Sequence, residues 1–367
     1  KSINNLKSLG IFKKVEPNIQ NGSDKSLRII DINIEERPSG EISLAAGFGT
    51  SGGIIGGGIK EKNFLGKGIN LDANLELTPE SVKGRFIYAK PNFNNTDNTL
   101  FTSIKSSTTD LLTDSGYKTS ELGFSLGTKF EQFQNIFLSP EIDFLLEDLE
   151  TSSKASNTLK KQKGSYTDLY FNYSINQDLR DKRFRTESGY QTFFTQEIPI
   201  ISDSSEFANA FEISKFKKLS TRSDTVGKIS FYAKTITGLS DDVRVSKRLN
   251  VPSSKLRGFE KGKVGPVDNK DFVGGNHVTA LNLSATLPNI VEGLDNLDVG
   301  IFLDAANVWG VDYDSSLDDK STIRTSTGVA FNLLTPIGPL SFSFANALTK
   351  ASSDKTETFR FRLGTQF

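Results

Sequence analysis

Lys255-Leu256-Arg257-Gly258-Phe259-Glu260 brings a guanidinium, a glycine and an aromatic ring together inside the longest connection between strand-like segments, from about Gly238 to Gly274. The guanidinium is a planar fork of donors that fits a carboxylate or a phosphate bidentately. A suitable carboxylate lies at Asp304. In Leu297-Asp298-Val299-Gly300-Ile301-Phe302-Leu303-Asp304 the apolar residues Leu297, Val299, Ile301 and Leu303 share one face, and the period of two turns Asp298, Phe302 and Asp304 to the other. If that second face is an enclosed interior, Asp304 needs a cation there, and Arg257 from a loop folded inward supplies it. The chemistry expected of these residues is an internal brace, with Phe259 packed beside it. The plainer alternative is a solvent-exposed turn with a chance arginine.

Other constellations are weaker. With no cysteine and the single histidine His277, thiolate chemistry and sulfur-built zinc sites are excluded, and a His-based metal cluster or triad lacks members. Gly47-Phe48-Gly49-Thr50-Ser51-Gly52 has the dinucleotide-binding spacing, but that motif needs a helix N-terminus to receive the phosphates. The continuation Gly53-Ile54-Ile55-Gly56-Gly57-Gly58-Ile59 has too many glycines to start one. Asp241-Asp242 and Asp318-Asp319 lie in loops with no partner pattern for carboxylate-pair hydrolysis. Lys160-Lys161-Gln162-Lys163 and Lys215, Lys217 and Lys218 read as solvated loops or strand ends near lipid headgroups. Basic and acidic side chains balance at 44 each, which argues against nucleic acid as a partner. The expectation is a protein that is not an enzyme and holds no cofactor and no metal.

The elements that would position this loop are strands. From Glu41 the chain keeps a period of two: Ile69 to Leu77 alternates without an error, Leu122, Phe124, Leu126 and Phe130 share a face, and Phe359-Arg360-Phe361-Arg362-Leu363 repeats the pattern near the C-terminus. Counting such segments between turn signals gives about sixteen strands of roughly nine to twelve residues, a length that suits a tilted bilayer crossing. No window is apolar for long enough to form a transmembrane helix. Short connections such as Thr78-Pro79-Glu80-Ser81 and Thr335-Pro336-Ile337-Gly338-Pro339 contrast with long polar ones at Glu150 to Lys163 and Val311 to Lys320. That contrast suggests tight turns at one end of a barrel and long loops at the other. Soluble β-sandwiches also alternate; the 28 phenylalanines, mostly at alternate strand positions, favour the membrane barrel.

Residues 1–38 differ from the rest. Ile3, Leu6, Leu9, Ile11, Phe12 and Val15 have roughly helical spacing, a Pro17/Asn21-Gly22 turn follows, and Leu27 to Glu35 reads as a strand. The expectation is the tail of a small α/β module in a processed or partial chain that starts at Lys1, followed by a barrel over residues 39–367. Glycines at 47 and 49 in the first barrel strand, Glu41 to Thr50, would make the wall beside it the weakest.

Leu256-Arg257-Gly258-Phe259 in a long late loop, Phe302-x-Asp304-Ala305-Ala306-Asn307-Val308-Trp309 on a following strand, and a terminal strand ending in Phe367 resemble the outer-membrane protein insertase superfamily. Leu256 stands where Val or Ile is more usual. Residues 6–36 resemble the end of the polypeptide-transport-associated (POTRA) module of that family. Within it the chain is most similar to the mitochondrial branch, the sorting and assembly machinery core subunit, and to its fungal form, on its Asn-, Ser- and Lys-rich loops and Gly338-Pro339-Leu340-Ser341-Phe342-Ser343. The resemblance implies an integral protein of the mitochondrial outer membrane that inserts β-barrel precursors. Its implied partners are those precursors, membrane lipid, two cytosol-facing accessory subunits and a second barrel protein. It also implies a lateral gate between the first strand, with Ile42, Leu44, Gly47 and Gly49, and the last, with Phe359, Phe361, Leu363, Gly364 and Phe367. A nascent strand has unpaired backbone groups that are costly in lipid, and an open strand edge would satisfy them. A passive porin, or a soluble β-sandwich binding protein, would share much of the pattern.

Overall fold

The computed structural model describes residues 11–24, 26–50, 52–183, 185–220, 224–288, 296–317, 322–335 and 338–363. A hairpin of β1 (Phe12–Asn21) and β2 (Arg28–Glu36) comes first. The wall then starts with β3 (Gly40–Gly49), β4 (Gly52–Phe64), β5 (Ile69–Leu77), β6 (Ser81–Lys90), β7 (Thr99–Leu111) and β8 (Tyr117–Phe133). It continues through β9 (Ile136–Thr151), β10 (Gly164–Asp178), β11 (Gly189–Ser202), β12 (Glu206–Lys218) and β13 (Val226–Gly238). A long loop follows, containing the two-residue strands β14 (Val267–Asp268) and β15 (Asp271–Phe272), and β16 (His277–Pro288), β17 (Leu297–Trp309), β18 (Arg324–Thr335), β19 (Gly338–Thr349) and β20 (Phe359–Leu363) complete the wall. The strands β3 to β13 and β16 to β20 form one closed, antiparallel, sixteen-stranded barrel in which each pairs with its neighbours in the chain and β20 returns to β3.

The alternation places side chains as a membrane barrel requires. Along β9, Ile142, Phe144 and Leu146 point outward and are exposed, while Asp143, Leu145, Glu147 and Leu149 are buried on the inner face. The outward apolar set recurs around the wall, with Leu44 86% exposed and Ile104, Phe124, Ile229, Leu281 and Ile301 each about half exposed. So continuous an apolar exterior is a lipid-facing band. A single closed sheet also excludes the two-sheet sandwich.

The chain's own loop folds into the lumen. Val243, Leu249, Val251, Leu256, Phe259 and Val264 from the connection between β13 and β16 pack against Ala208, Ile236, Val278, Ala280, Ala306 and Val308 of the wall. At the long-loop end a second cluster joins Val245 and Val273 of the same loop to Tyr117, Leu149 and Leu159. Leu159 belongs to a short helix, α1 (Asn157–Lys161), capped by Ser156, whose hydroxyl accepts from the Leu159 N–H at 3.3 Å and donates to Asp268 at 2.5 Å.

Four details differ from the sequence reading. Phe12 to Val15 belong to a strand and not to a helix, because Val15 pairs with Ile34 and cross-strand pairing overrides local spacing; residues 1–10 lie outside the described residues. Pro17 sits within β1, opposite Ile32, and not in a turn. The Thr78–Ser81 turn lies at the long-loop end, where Glu80 meets Lys261 of the lumenal loop at 2.9 Å. Some strands outrun the bilayer requirement, β8 reaching 17 residues.

Candidate lumenal brace and lateral seam

Arg257 lies against β17. Its Nε and Nη2 donate to Asp304 Oδ2 and Oδ1, each at 2.7 Å, and its backbone N–H also donates to Oδ2 at 3.1 Å. Asn282 Nδ2 on β16 adds a further donor to Asp304 at 2.9 Å. The carboxylate is fully buried, and the guanidinium lies 3.5 Å from the centre of the Phe302 ring. A desolvated carboxylate with this many charge-assisted donors is well satisfied, and the ring face adds attraction to the cation. Leu256 and Phe259 are buried on either side. Gly258 has φ +86°, and a Cβ there would approach Ala345 Cβ at 3.2 Å and Ser326 Cβ at 3.3 Å, so the turn between arginine and ring needs glycine.

The same loop is stitched to the approach of the last strand. Glu260 N–H donates to Lys355 O at 3.0 Å, Lys355 N–H to Lys263 O at 3.0 Å, and Glu357 N–H to Gly258 O at 3.1 Å, with Phe259 bridged to Thr356. From β20 itself, Arg360 Nη1 donates to Ser253 O at 2.8 Å, Nη2 donates to Phe259 O, and Nε donates to Glu357 at 2.8 Å.

Where the barrel closes, Arg362 stands opposite Gly49 and Leu363 opposite Phe48, and these are the β3–β20 pairs among the described residues. On its other side β3 pairs with β4 over its whole length, from Gly40–Glu61 to Gly49–Gly52. At the seam a Cβ on Gly47 would stand 2.8 Å from Leu363 O, and one on Gly49 would collide with Phe361 O. The last strand therefore lies on bare backbone there, with the Phe48 and Phe361 rings 5.9 Å apart beside it. Ile42 and Leu44 project outward from the earlier part of β3, and Phe359 projects outward from β20. Gly364 and Phe367 lie outside the described residues.

A second ionic centre had no local signature in sequence. Arg244, 2% exposed, donates to Glu206 Oε1 at 2.9 Å, Glu147 Oε2 at 3.0 Å and Asp168 Oδ2 at 2.5 Å, and it stacks 4.4 Å from the Tyr166 ring centre. Lys247 lies 3.7 Å from Glu147 and from Glu121. Farther along, Arg248 pairs with Asp312 and donates to Asn276 Oδ1 at 2.9 Å. The loop is thus tied by cations to β9, β10 and β12 on one side and, through Asp312, to the connection after β17 on the other.

A model of the Omp85 superfamily domain matches residues 63–367. The chain belongs to the Omp85 superfamily. It is similar to the outer membrane protein assembly factor BamA of Neorickettsia risticii (strain Illinois), 22% identical over 98% of this chain and 49% of that protein. BamA of Neisseria meningitidis serogroup B is 33% identical over 30% of this chain and 17% of its own length. The chain therefore spans about half the length of the first of these relatives and less of the second. Among solved structures, BamA from Haemophilus ducreyi lacking POTRA domains 1–3 superposes with a TM-score of 0.89 at 22% identity, covering 100% of this chain and 77% of that one. CdiB from Acinetobacter baumannii superposes at 0.56 with 10% identity, covering 98% and 67%. These likenesses show the fold. In this Omp85 barrel the lumenal loop, the Arg257–Asp304 pair and the β3–β20 seam form one connected arrangement through Arg360 and the 355–357 segment.

Proposed function

We propose that this chain is the membrane-embedded part of an outer-membrane insertase that folds β-barrel precursors by pairing their strands at the β3–β20 seam. The observation that carries this is the seam itself: β20 rests on Gly47 and Gly49 with no side chain between the backbones. A strand edge exposed by parting that contact offers backbone donors and acceptors to an incoming strand, which would otherwise enter lipid unpaired. Burial of apolar surface in lipid and strand pairing supply the driving force, so no covalent step is needed. Arg257 and Asp304 hold the loop, with Phe302 and Phe259 packed on it. Because that loop enters the lumen and is tied to several strands, a passive porin is disfavoured. We read β1–β2 as the end of a POTRA-like module; Ile19, Ile29, Ile30 and Ile34 are exposed on that hairpin, which a lone two-stranded sheet cannot cover.

The two curated relatives described above are bacterial assembly factors, which favours a bacterial outer membrane as the site. The Asn-, Ser- and Lys-rich loops favour the mitochondrial outer membrane, with two cytosol-facing accessory subunits and a second barrel protein. Purification of the tagged chain with its native partners separates the two. The insertase reading is tested in this cysteine-free chain by Phe48→Cys with Leu363→Cys, residues that stand opposite each other across the seam. Oxidation should stop insertion of a β-barrel precursor into liposomes holding the protein, and reduction should restore it. Equal insertion with the seam locked would refute the gate.

A further inference from the structure

The outer wall carries a groove of about 660 Å³ across β12, β13, β16, β17 and β18. Its floor is two neighbouring rows of ladder partners. In one, Lys215 stands opposite Ile229, Ile229 opposite Leu283, Leu283 opposite Leu303, and Leu303 opposite Thr327. In the other, Lys217 stands opposite Gly227, Gly227 opposite Ala285, and Ala285 opposite Ile301. Gly227 lets the Leu219 side chain fold over the wall, its Cδ1 3.0 Å from where a Cβ would stand, and Ala285 carries only a methyl, so the second row is hollow over Ala285, between Leu219 and Ile301, whose side chains stand out from the wall at 59% and 53% exposure.

The rows do not run level with the membrane. Lys217 precedes the last residue of β12 and Gly227 follows the first residue of β13, but Ala285 lies three residues before the end of β16 and Ile301 four after the start of β17. All four strand ends lie at the end of the barrel opposite the long lumenal loop. Each step along the row is therefore no shallower, and overall deeper, as strand tilt in a barrel requires. The groove starts at two lysines beside the interface and descends into the apolar band.

Its charge is one-sided. Lys215 and Lys217 are exposed on the outer face and make no ion pair among the described residues, while their neighbour Lys218 pairs with Asp224 at 2.5 Å. No carboxylate lines the groove among the described residues. Lysines at this level lay their stems on apolar wall and hold their ammonium groups among lipid headgroups.

We propose that the groove holds one anionic phospholipid, with its phosphate between Lys215 and Lys217 and an acyl chain passing beside Leu219 and lying along Ala285 and Ile301. Two cations without a carboxylate select an anionic headgroup over a zwitterionic one, and the hollow row gives a straight chain a place that a uniformly bulky wall would not. The site shares no residue with the seam.

The test uses the full chain folded in detergent, with dipalmitoyl phosphatidylglycerol or dipalmitoyl phosphatidylcholine added and bound lipids counted by native mass spectrometry. One phosphatidylglycerol should be retained in preference to phosphatidylcholine. Lys215→Gln with Lys217→Gln should weaken its retention at least tenfold, and Ala285→Phe, which fills the hollow and leaves both lysines in place, should do the same. The charge-matched control Lys160→Gln with Lys161→Gln, on α1 at the other end of the barrel, should retain it as the unaltered chain does. Equal retention of the two lipids, undiminished binding in either groove variant, or an equal loss in the control would overturn the proposal.

Discussion

Replacing Arg257 by Ala removes one partner of a pair whose other member has no access to solvent. Loss of one partner from a well-buried ion pair costs about 3–5 kcal/mol. Two features of the site reduce that figure: Asn282 Nδ2 and the Arg257 backbone N–H still donate to Asp304, and the arginine side chain is 23% exposed. About 2–3 kcal/mol is left for detachment of the loop. A change of about 2 kcal/mol corresponds to roughly thirtyfold in an opening equilibrium. Hydrogen exchange reads this at two amides that link loop and last strand, Glu260 N–H to Lys355 O and Glu357 N–H to Gly258 O. Both should exchange roughly thirtyfold faster in Arg257→Ala, with the β8–β9 ladder unchanged as internal reference. Asp304→Ala should accelerate the same amides, and the double variant should fall short of the sum of the two by about 2 kcal/mol, since each single change already breaks the shared contact. Unchanged exchange in Arg257→Ala, or additivity within about 0.5 kcal/mol, would show that Arg257 does not hold the loop.

Three further outcomes are expected. Arg360→Gln loses the donors to Ser253 O and Phe259 O and should raise exchange at Glu260 about fivefold, the worth of about 1 kcal/mol, while leaving the β18–β19 ladder intact. Arg244→Met leaves Glu147, Asp168 and Glu206 buried together without their shared cation and should destabilise the barrel to denaturant by about 3–5 kcal/mol; a neutral result would mean that Arg244 is not what holds the three carboxylates together. Burial opposes the Asp312 charge, but the Val243 N–H, Arg248 and Asn276 more than compensate and hold its carboxyl below the ordinary carboxylate range. The folded value lies below the unfolded one, so its stabilisation is present above the unfolded pKa and is lost as pH falls through the folded one. The contact from Val243 to Asp312 should loosen only in acid, and Asp312→Asn should abolish that pH dependence of Val243 exchange.

The barrel was legible because a strand with one face in lipid must alternate, and the chain does so from Ile42 onward with few errors. The inward face of Asp304 followed from the same parity. The Arg244 centre was not legible: Glu147, Asp168 and Glu206 come from β9, β10 and the start of β12, and no local spacing relates them. Parity alone could have flagged Glu147, which lies between outward-facing Leu146 and Asp148 on a buried line with Asp143 and Leu145. At the N-terminus, Phe12 and Val15 have helical spacing, but pairing with β2 decides the structure. Pro17 is tolerated there because β1 has a single paired neighbour among the described residues, so its missing N–H removes little. Loop length does not mark the side of the barrel: Thr78–Ser81 is short yet lies at the long-loop end, because strand direction fixes the side.

The connections of the last strand bear on which edge of the proposed gate would move. β20 is held by its ladder to β19, from Leu340–Leu363 to Phe344–Phe359, and again by Arg360 and the 355–357 segment on the lumenal loop. β3 is held by its full ladder to β4 and by no hydrogen bond from that loop among the described residues. Among the described residues the thin place is the contact between them, and parting it leaves both strands paired on their far sides. The loop then fixes β20 as a preformed edge, while β3 can swing with β4, whose glycines give that part of the wall few side chains to interlock. Loosening the brace should therefore act asymmetrically. In Arg257→Ala, exchange should rise at the β20 amides and not along the β3–β4 ladder, and an equal rise on both sides would mean that the loop stabilises the barrel as a whole and not its last strand.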